Sequence, residues 1–429
     1  MSKRALLTVL GLAFSLGLRA QTPDTATIHG QVVDQSHGAV AGVLVTAGNT
    51  LTGLQRTVET DTSGHFSLAG LPIAGRYDIT AGKPGFAEAR LSGVTLAGGT
   101  TADLNLQLDV AGGQTHVSVT GVVGEVRLDQ PQLGTRLGAA QMEDTPLASR
   151  RITYLPLLNA ANRPAINQGD VFMNENLFTT NGAGRRQTWF EVDGSTGNDT
   201  WGRQTIFSNI PLAAVEEITV LTNAFSAEYG GSTGSVVNVV TKSGGSRFHG
   251  ELLELWRPSS TEAALSGFTS ANAASGNDLT NDTLGQSALA LAGPIGSAGK
   301  THVFAAGEFS REDKASPIIS PVAPGNFIGH YRGWLADFRL DRQIDANNNL
   351  FLRSNVDGFH DTNPNGTVGG NSLPTVDRVF RRRTYSEELG ETAVLSPTLV
   401  NNARLWQVRL TSLSSAGRPC RKADCRFRT

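Results

Sequence analysis

Residues 296–301 read GSAGKT, which is how a phosphate-binding P-loop ends. A P-loop also requires a glycine five positions before Gly299, and this chain has Pro294 there. The loop must in addition open a helix, whereas the following residues, 302–306 (HVFAA), favour a strand. We therefore predict a hairpin turn at this position and no nucleotide site.

Other reactive residue types occur without the spacing that catalysis or metal binding needs. The glycine run at 230–234 lacks the strand-turn-helix frame of a dinucleotide site. His29 and His65 are isolated on predicted strands, with no cluster of further ligands beside them. Serine, histidine and acidic residues form no recognisable nucleophile motif, although sequence order leaves open a triad of distant residues. We predict that the chain is not an enzyme and has no cofactor or metal.

The two cysteines, Cys420 and Cys425, both lie near the C-terminal end of the sequence. Their spacing alone does not indicate a zinc site, and no pair of histidines accompanies them. A local disulfide formed after export is compatible with this spacing. We expect no framework of disulfides in the fold.

The composition favours strands, turns and polar loops over helical bundles. The chain has 429 residues, enough for two or three domains, with 17% charged residues, 39% hydrophobic residues and 49 glycines. The net charge of −2 gives no reason to expect nucleic acid as a partner. We predict a mainly β protein.

The first twenty residues have the pattern of a secretory signal peptide. Lys3 and Arg4 precede an apolar run at 5–18, which ends just before Ala20. The run is short for a membrane-spanning helix. We predict cleavage after Ala20 and export, with an uncleaved anchor left open because Arg19 makes the cleavage site imperfect.

Residues 26–110 predict a small β-sandwich with short strands at even spacing. The segment 28–34 reads as a strand closing in a turn, and Asp61 opens a second turn in which Gly64 can take a positive φ. Tyr77 and Ile79 alternate with polar residues, so we expect both side chains on the core face.

A second domain follows a glycine-containing linker. We predict a short alternating strand at 115–121, a strand at 188–194 that ends in an Asp-Gly turn, and a short helix at 212–217 started by Pro211. A strand at 218–221, an aromatic turn and a glycine-rich break then lead to the strand at 235–241. This order of parts indicates an α+β domain.

From residue 247 onward, strand-length segments alternate with connections that are long and short in turn. This asymmetry is typical of a transmembrane antiparallel β-barrel. We predict about seven strands and an incomplete barrel, because seven strands leave two unpaired edges in hydrocarbon. The predicted strands are 248–257, 286–295, 302–309, 334–344, 350–359, 379–394 and 399–410, with a long Pro-rich loop up to Tyr331 and a polar, basic tail at 412–429.

The segment 211–250 resembles the end of the plug domain in TonB-dependent outer-membrane receptors, where the plug leads into the first barrel strand. With the preceding sandwich, the chain resembles the Oar-like subfamily, which carries an N-terminal carboxypeptidase-regulatory-like domain of transthyretin/Ig-like sandwich fold and no peptidase site. The resemblance implies a mainly β protein with an α+β plug and part of a transmembrane barrel. The predicted domains are a signal peptide at 1–20, the sandwich at 26–110, a linker at 111–121, the plug at 122–246, barrel strands at 247–411 and the tail.

The same resemblance implies binding sites for a coupling protein and a substrate. The strand before the plug resembles a TonB box, with Val117, Ser118, Val119, Thr120 and Gly121 as the residues that add to a partner's sheet edge. An ordinary edge strand of the plug is the alternative. For the substrate we name Arg185, Arg186 and Trp189, with salt-bridged plug structure as the favoured alternative. Residues 381–383 (RRR) are expected to form a solvated charge cluster near a barrel rim rather than a nucleic-acid site.

The resemblance implies energy-coupled uptake through the cell outer membrane, with TonB as partner. Complete family barrels have about twenty-two strands, so this chain is expected to be an N-terminal portion of one. The substrate is left open among carbohydrates, peptides and metal chelates. The alternatives are a periplasmic or cell-surface binding module that does not transport, and a non-functional truncated remnant.

Overall fold

A computed structural model of the chain describes residues 24–110, 119–120, 133–145, 147, 150–170, 175–184, 187–198, 209–223, 225, 229, 233–259, 283–296, 299–318, 320, 325–364, 367–397 and 399–416. The predicted signal peptide, Cys420 and Cys425 lie outside these residues. No helix in the described part of the chain is long and apolar enough to cross a membrane.

The N-terminal unit is a sandwich of two four-stranded sheets. One sheet has the order β4-β1-β7-β8 and the other β3-β2-β5-β6, with β1 and β7 parallel. The strands are β1 (Thr25–Asp34), β2 (Leu44–Asn49), β3 (Gln55–Glu59), β4 (His65–Pro72), β5 (Arg76–Gly82), β6 (Ala89–Thr95), β7 (Thr101–Leu108) and β8 (Val119–Thr120).

The sandwich core follows the alternation of its strands. Tyr77 and Ile79 on β5 are both fully buried in the core, which confirms that they share a face. The Tyr77 hydroxyl donates to the Pro72 carbonyl at 2.8 Å, so its one polar atom is satisfied. Gly64 adopts a φ of +73° in the turn that Asp61 opens, as expected.

The plug is built on a five-stranded sheet of order β13-β12-β15-β14-β9, beside a β10-β11 hairpin. In this sheet β12 and β15 are parallel, and β14 pairs antiparallel with both β15 and β9. The elements are β9 (Leu133–Gly138), α1 (Ala139–Asp144), a 3-10 helix (Ile152–Leu158), β10 (Asn162–Asp170), β11 (Glu175–Thr180), β12 (Thr188–Val192), β13 (Ser195–Thr196), a 3-10 helix (Leu212–Ala214), β14 (Val215–Asn223) and β15 (Ser235–Thr241).

The helix predicted at 212–217 is wrong in length and type. Only Leu212–Ala214 are helical, as one 3-10 turn, and β14 starts at Val215. Val215 and Ile218 are fully buried and pair with β15, so sheet formation overrides the local helical preference of the acidic residues between them.

The C-terminal part is one seven-stranded antiparallel sheet in chain order, called the barrel sheet below. It is open, with β16 and β22 at its edges, so the mainly β fold and the incomplete barrel of about seven strands are confirmed. Its strands are β16 (His249–Arg257), β17 (Thr283–Pro294), β18 (Thr301–Ile318), β19 (Gly325–Gln343), β20 (Asn348–Thr362), β21 (Arg378–Ser396) and β22 (Leu399–Ala416), with a 3-10 turn (Pro374–Val376) before β21.

Several barrel strands are longer than the sequence pattern predicts. β18 continues past Phe309 to Ile318, and β19 begins at Gly325, so the long loop predicted up to Tyr331 is wrong. The two strands remain paired up to Ile318 and Gly325. Likewise β22 runs to Ala416, five residues into the predicted tail. These extensions lack apolar alternation, and cross-strand hydrogen bonds hold them instead.

Small residues let the plug pack against the inner wall of the barrel sheet. Ala290 and Ala292 of β17 and Ala306 of β18 are buried in the same core cluster as the plug residues Phe190 and Ile218. Because alanine projects little from a strand, the two sheets' backbones can approach closely there. This contact brings the plug turn after β12 to the inner face of β19–β22.

Candidate functional site: a buried ionic cluster between plug and barrel

The plug turn after β12 places one carboxylate deep inside the molecule. Asp193 and Gly194 have φ values of +50° and +86°, and they join β12 to β13 as the Asp-Gly turn predicted from the sequence. Asp193 is fully buried. Its Oδ1 accepts a hydrogen bond from the Thr241 amide and its Oδ2 accepts one from the Thr241 hydroxyl, both at 2.8 Å. The carboxylate is therefore fixed by the neighbouring strand β15.

Two arginines of the barrel sheet converge on this carboxylate. Arg339 Nη1 lies 3.2 Å from Asp193 Oδ1, and Arg353 Nε lies 3.4 Å from Oδ2. Arg339 and Arg353 are directly opposite each other on β19 and β20, an arrangement of like charges that is unfavourable by itself. The plug carboxylate between them offsets this repulsion.

Two further carboxylates of the barrel sheet bind the same two arginines. Asp341 accepts hydrogen bonds from Arg339 at 3.0–3.1 Å, and Glu388 Oε2 accepts one from Arg353 Nη2 at 2.7 Å. The Ser195 hydroxyl of β13 also donates to Glu388 Oε2, at 2.8 Å. Plug and barrel thus share hydrogen bonds on both sides of the turn.

The sandwich also contacts this site, through Asp24, which directly precedes β1. Arg404 Nη2 donates to Asp24 Oδ2, and Arg404 Nε donates to the Asp193 carbonyl at 3.2 Å. The ring of Phe351 lies 4.4 Å from the Arg339 guanidinium carbon and 5.1 Å from that of Arg404. The set is called the ionic cluster below and consists of Asp24, Asp193, Arg339, Asp341, Arg353, Glu388 and Arg404.

Burial and charge oppose each other at the plug carboxylate. Burial alone raises the pKa of Asp193, but Arg339 and Arg353, together with the hydrogen bonds from Thr241, outweigh it and hold the pKa below its ordinary value. Asp193 is therefore an anion at neutral pH. At Asp24 the balance is reversed, because burial raises the pKa by more than Arg404 lowers it.

A second contact between plug and barrel lies further along the same strands, where a plug backbone N–H meets an ion pair within the barrel sheet. Arg382 Nη2 donates to Asp357 Oδ2 at 2.8 Å, with both side chains almost completely buried. Asp357 Oδ1 accepts a hydrogen bond from the Asn209 amide of the plug at 3.2 Å. The inner face of the barrel sheet therefore contacts the plug at two positions along its strands, at Asp193 and at Asn209.

The sandwich also contacts the plug directly. Glu217 of β14 accepts a hydrogen bond from the Gly98 amide of the sandwich at 3.3 Å and pairs with Arg136 at 3.2 Å. Burial raises the pKa of Glu217, although Arg136 opposes the shift. Val240 of β15 is buried in the sandwich core cluster. Sandwich, plug and barrel sheet therefore meet around β14 and β15.

Two of the five predicted partner-binding residues, Val119 and Thr120, lie on the sandwich. Val119 and Thr120 form β8, which pairs antiparallel with Leu106 and Asn105 of β7 at the edge of that sheet. Val117, Ser118 and Gly121 lie outside the described residues.

Of the predicted substrate residues, only Trp189 is described. It lies half-buried on β12, where its indole nitrogen donates to Glu191 at 2.8 Å. Arg185 and Arg186 lie outside the described residues, as do Gly230 and Gly231. Gly234 is described, and a side chain there would clash with the Gln187 carbonyl, 2.6 Å from a Cβ.

The sequence did not single out the barrel members of the ionic cluster. The sequence identifies Asp193 only as a turn residue, and it places Arg339, Arg353 and Glu388 within predicted strands. The signal available was polar alternation: Arg353, Asn355 and Asp357 occupy every second position of β20, which is typical of a barrel's inward face. Among the described residues, no group of three or more His, Cys, Asp or Glu side chains could hold a metal ion.

Comparison with known proteins agrees with this architecture. Residues 27–109 match the carboxypeptidase regulatory-like domain family. Over 297 residues the chain is 27% identical to the TonB-dependent transporter Oar of Myxococcus xanthus. The chain is similar to TonB-dependent transporters of the Oar type. The match covers 66% of this chain and 26% of that protein, so the chain spans about a quarter of its relative's length.

Solved structures give matches of the same kind. The outer membrane transporter YddB of Escherichia coli aligns with a TM-score of 0.48 and 12% identity, over 61% of this chain and 37% of that one. The siderophore receptor PirA of Pseudomonas aeruginosa aligns with a TM-score of 0.44 and 15% identity, over 65% and 41%. These relatives and structures are named as transporters and receptors.

Proposed function

We propose that this chain provides the sandwich, the plug and the first barrel strands of an energy-coupled outer-membrane receptor, in which the ionic cluster holds the plug against the barrel wall. The observation that carries the proposal is the position of Asp193. It belongs to a plug turn, yet its carboxylate lies between Arg339 and Arg353 of the barrel sheet, 3.2 and 3.4 Å away.

Burial makes the ion pairs of this cluster costly to break. Asp193, Arg353 and Glu388 are each no more than 2% exposed, so water cannot replace a partner that is withdrawn. Removing one partner from a buried ion pair costs about 3–5 kcal/mol, because a charge is left uncompensated. The plug is therefore held firmly, and it is released only when several charged contacts part together. Such an arrangement suits a two-state switch.

The coupling partner is proposed to be TonB, acting at residues 117–121. An extended segment can be captured by strand addition to a partner's sheet edge. β8 fits this role because it is an extended strand at the edge of its sheet, held by pairing with β7 on one side. This segment is connected to Asp24 through the sandwich sheet, because β8 pairs with β7 and β7 pairs with β1, which begins directly after Asp24.

The transported substrate is proposed only as a class: a carbohydrate, a peptide or a metal chelate. Arg185, Arg186 and Trp189 are the proposed contacts. Trp189 is half-buried, and its indole nitrogen already donates a hydrogen bond to Glu191. A substrate contact of Trp189 is therefore expected through the ring and not through the indole nitrogen.

Cysteine crosslinking tests the coupling assignment in the full chain. Cys420 and Cys425 are first replaced by serine, and Val119→Cys is then exposed to the periplasmic domain of TonB carrying a single cysteine. We expect a disulfide-linked product from this variant and none from Ser92→Cys, which lies exposed on β6 of the other sheet. Equal crosslinking of both variants contradicts the assignment.

Fractionation tests the membrane assignment separately. A detergent-requiring, heat-modifiable band in the outer membrane supports the receptor, whereas a soluble periplasmic product supports the binding module that does not transport.

A further inference from the structure

The barrel sheet has a second face, which points away from the plug. On β20 the residues that contact the plug or its ion pairs, such as Arg353 and Asp357, occupy odd-numbered positions. Side chains alternate between faces along a strand, so the even-numbered residues of β20, including His360, lie on the outer face. The strand register then assigns the outer face on every neighbouring strand.

A row of basic residues crosses this outer face. Arg311 of β18, Arg332 of β19, His360 of β20 and Arg381 of β21 are successive direct cross-strand partners. Arg383 is two residues along β21 on the same face, with its guanidinium 5.8 Å from the Trp334 ring. These five residues are called the outer cationic row, whose positive charge comes from its four arginines.

Few acidic groups compensate the row. Asp313 is shared by Arg332 at 2.8 Å, His330 at 2.8 Å and Arg311 at 3.5 Å. Within the part of the chain that the structure describes, Arg381 and Arg383 form no ion pair, and both are exposed. Four guanidinium groups therefore face outward with one carboxylate among them.

The depth of the row matches a membrane boundary. Ten residues separate Arg332 from Arg342 on β19, which is about 33 Å along a strand and about 25 Å along the normal at a tilt of about 40°. Between them the outer face of β19 carries Trp334, Ala336, Phe338 and Leu340, and an apolar band about 25 Å tall is what a barrel presents to lipid. The row thus lies at one edge of this band, at the end of the sheet opposite the ionic cluster.

We propose that the outer cationic row binds the phosphate groups of a lipid headgroup in the surrounding leaflet. Arginine suits this ligand because its planar fork binds phosphate through two hydrogen bonds. A lipid fits better than a free anion, since Trp334 and the apolar band lie directly beside the row and would contact acyl chains. The inference rests on the proposed membrane position of the barrel sheet and is independent of coupling to TonB.

The test measures lipid retained by the full chain in neutral detergent. Lipid A carrying both phosphates is titrated against the chain and its Arg381→Gln/Arg383→Gln variant, and bound lipid is counted by native mass spectrometry. Each arginine at a membrane surface contributes roughly fivefold in binding, so we expect the double variant to bind roughly 25-fold more weakly. Lipid A stripped of its phosphates should bind both proteins equally and weakly.

The matched control is Arg342→Gln/Arg378→Gln. It removes the same charge from exposed sites: Arg342 lies on the outer face at the other end of β19, and Arg378 starts β21 on the inner-face register. Equal lipid retention by the two double variants overturns the proposal. Displacement of lipid A by inorganic phosphate at equal concentration also overturns it, because the site would then be one for a free anion. The variants leave the ionic cluster intact, so failure here is distinct from failure of plug retention or of TonB crosslinking.

Discussion

The two faces of the barrel sheet use arginine in opposite ways. On the inner face, Arg339, Arg353 and Arg404 meet four carboxylates from three parts of the chain. On the outer face, Arg381 and Arg383 meet no carboxylate among the described residues. The same strands carry both sets, separated only by the alternation of side chains.

The difference follows from what surrounds each face. Inside, water is excluded, so each guanidinium requires a protein partner to offset its desolvation. Outside, the partner can be supplied by solvent or by the headgroups of lipids, so the fold need not provide one. An arginine without an ion pair on the outer face therefore indicates a candidate ligand site. On the inner face, ion-paired arginines indicate contacts between parts of the protein.

The largest expected effect comes from removing a cation on the inner face. Arg353→Gln leaves Asp193 and Glu388 buried with too little positive charge, and we expect the free energy of unfolding to fall by about 3–5 kcal/mol. Urea titration of the chain in detergent micelles measures this. The control is Arg90→Gln, which breaks an exposed pair with Asp78 and should leave the midpoint unchanged. Similar urea midpoints for Arg353→Gln and Arg90→Gln would show that the buried arginine contributes no more to stability than an exposed one.

The next effect tests the packing inside the ionic cluster. A Cβ at Gly390 would lie 2.1 Å from the Phe351 ring, which already packs against two guanidinium groups, so Gly390→Ala must displace that ring. We expect a loss of about 1–3 kcal/mol, typical of overpacking. Gly285→Ala is the control, because nothing lies within 4 Å of a Cβ there. Equal urea midpoints would show that Phe351 is free to move.

Acid should weaken the inner face at the plug carboxylate. The folded-state pKa of Asp193 lies below the ordinary value of 3.8, so its contribution to stability is complete above that value and is lost as pH falls through the lowered pKa. Protease accessibility of the plug should rise in this acid range, by less than in Arg353→Gln, which removes the guanidinium shared by Asp193 and Glu388. In Asp193→Asn that acid-dependent rise should be reduced, and an unchanged profile would assign the effect to other carboxylates.

The smallest effect is expected on the outer face. Arg381→Gln removes an exposed guanidinium with no ion pair in the described structure, and it relieves repulsion with Arg383 two residues away. In neutral detergent we expect the free energy of unfolding to change by no more than about 0.5 kcal/mol in either direction. A loss comparable to that of Arg353→Gln would show that the outer row is part of the structural core, which contradicts its proposed role.

Much of the architecture could be predicted from periodicity. The alternation of Tyr77 and Ile79, the turn at Asp193-Gly194 and the strand at 235–241 are local signals, and the structure has each of them. The 3-10 turn at 212–214 and the full length of β18 were mispredicted, because pairing with a neighbouring strand outweighed the local pattern.

For residues 381–383, the sequence does not determine which side chains lie on the inner face and which on the outer face. The sequence alone determined that three consecutive arginines lie on one strand, so that neighbouring side chains point to opposite faces. Only the tertiary structure decided which face is which: Arg382 turns inward to Asp357, while Arg381 and Arg383 turn outward. Likewise the chain specifies an Asp-Gly turn at 193–194 by local conformational preference, but Arg339 and Arg353, about 150 residues later, give it its chemistry. Such partners are set by register and burial, which are properties of the packed sheets and not of any short segment.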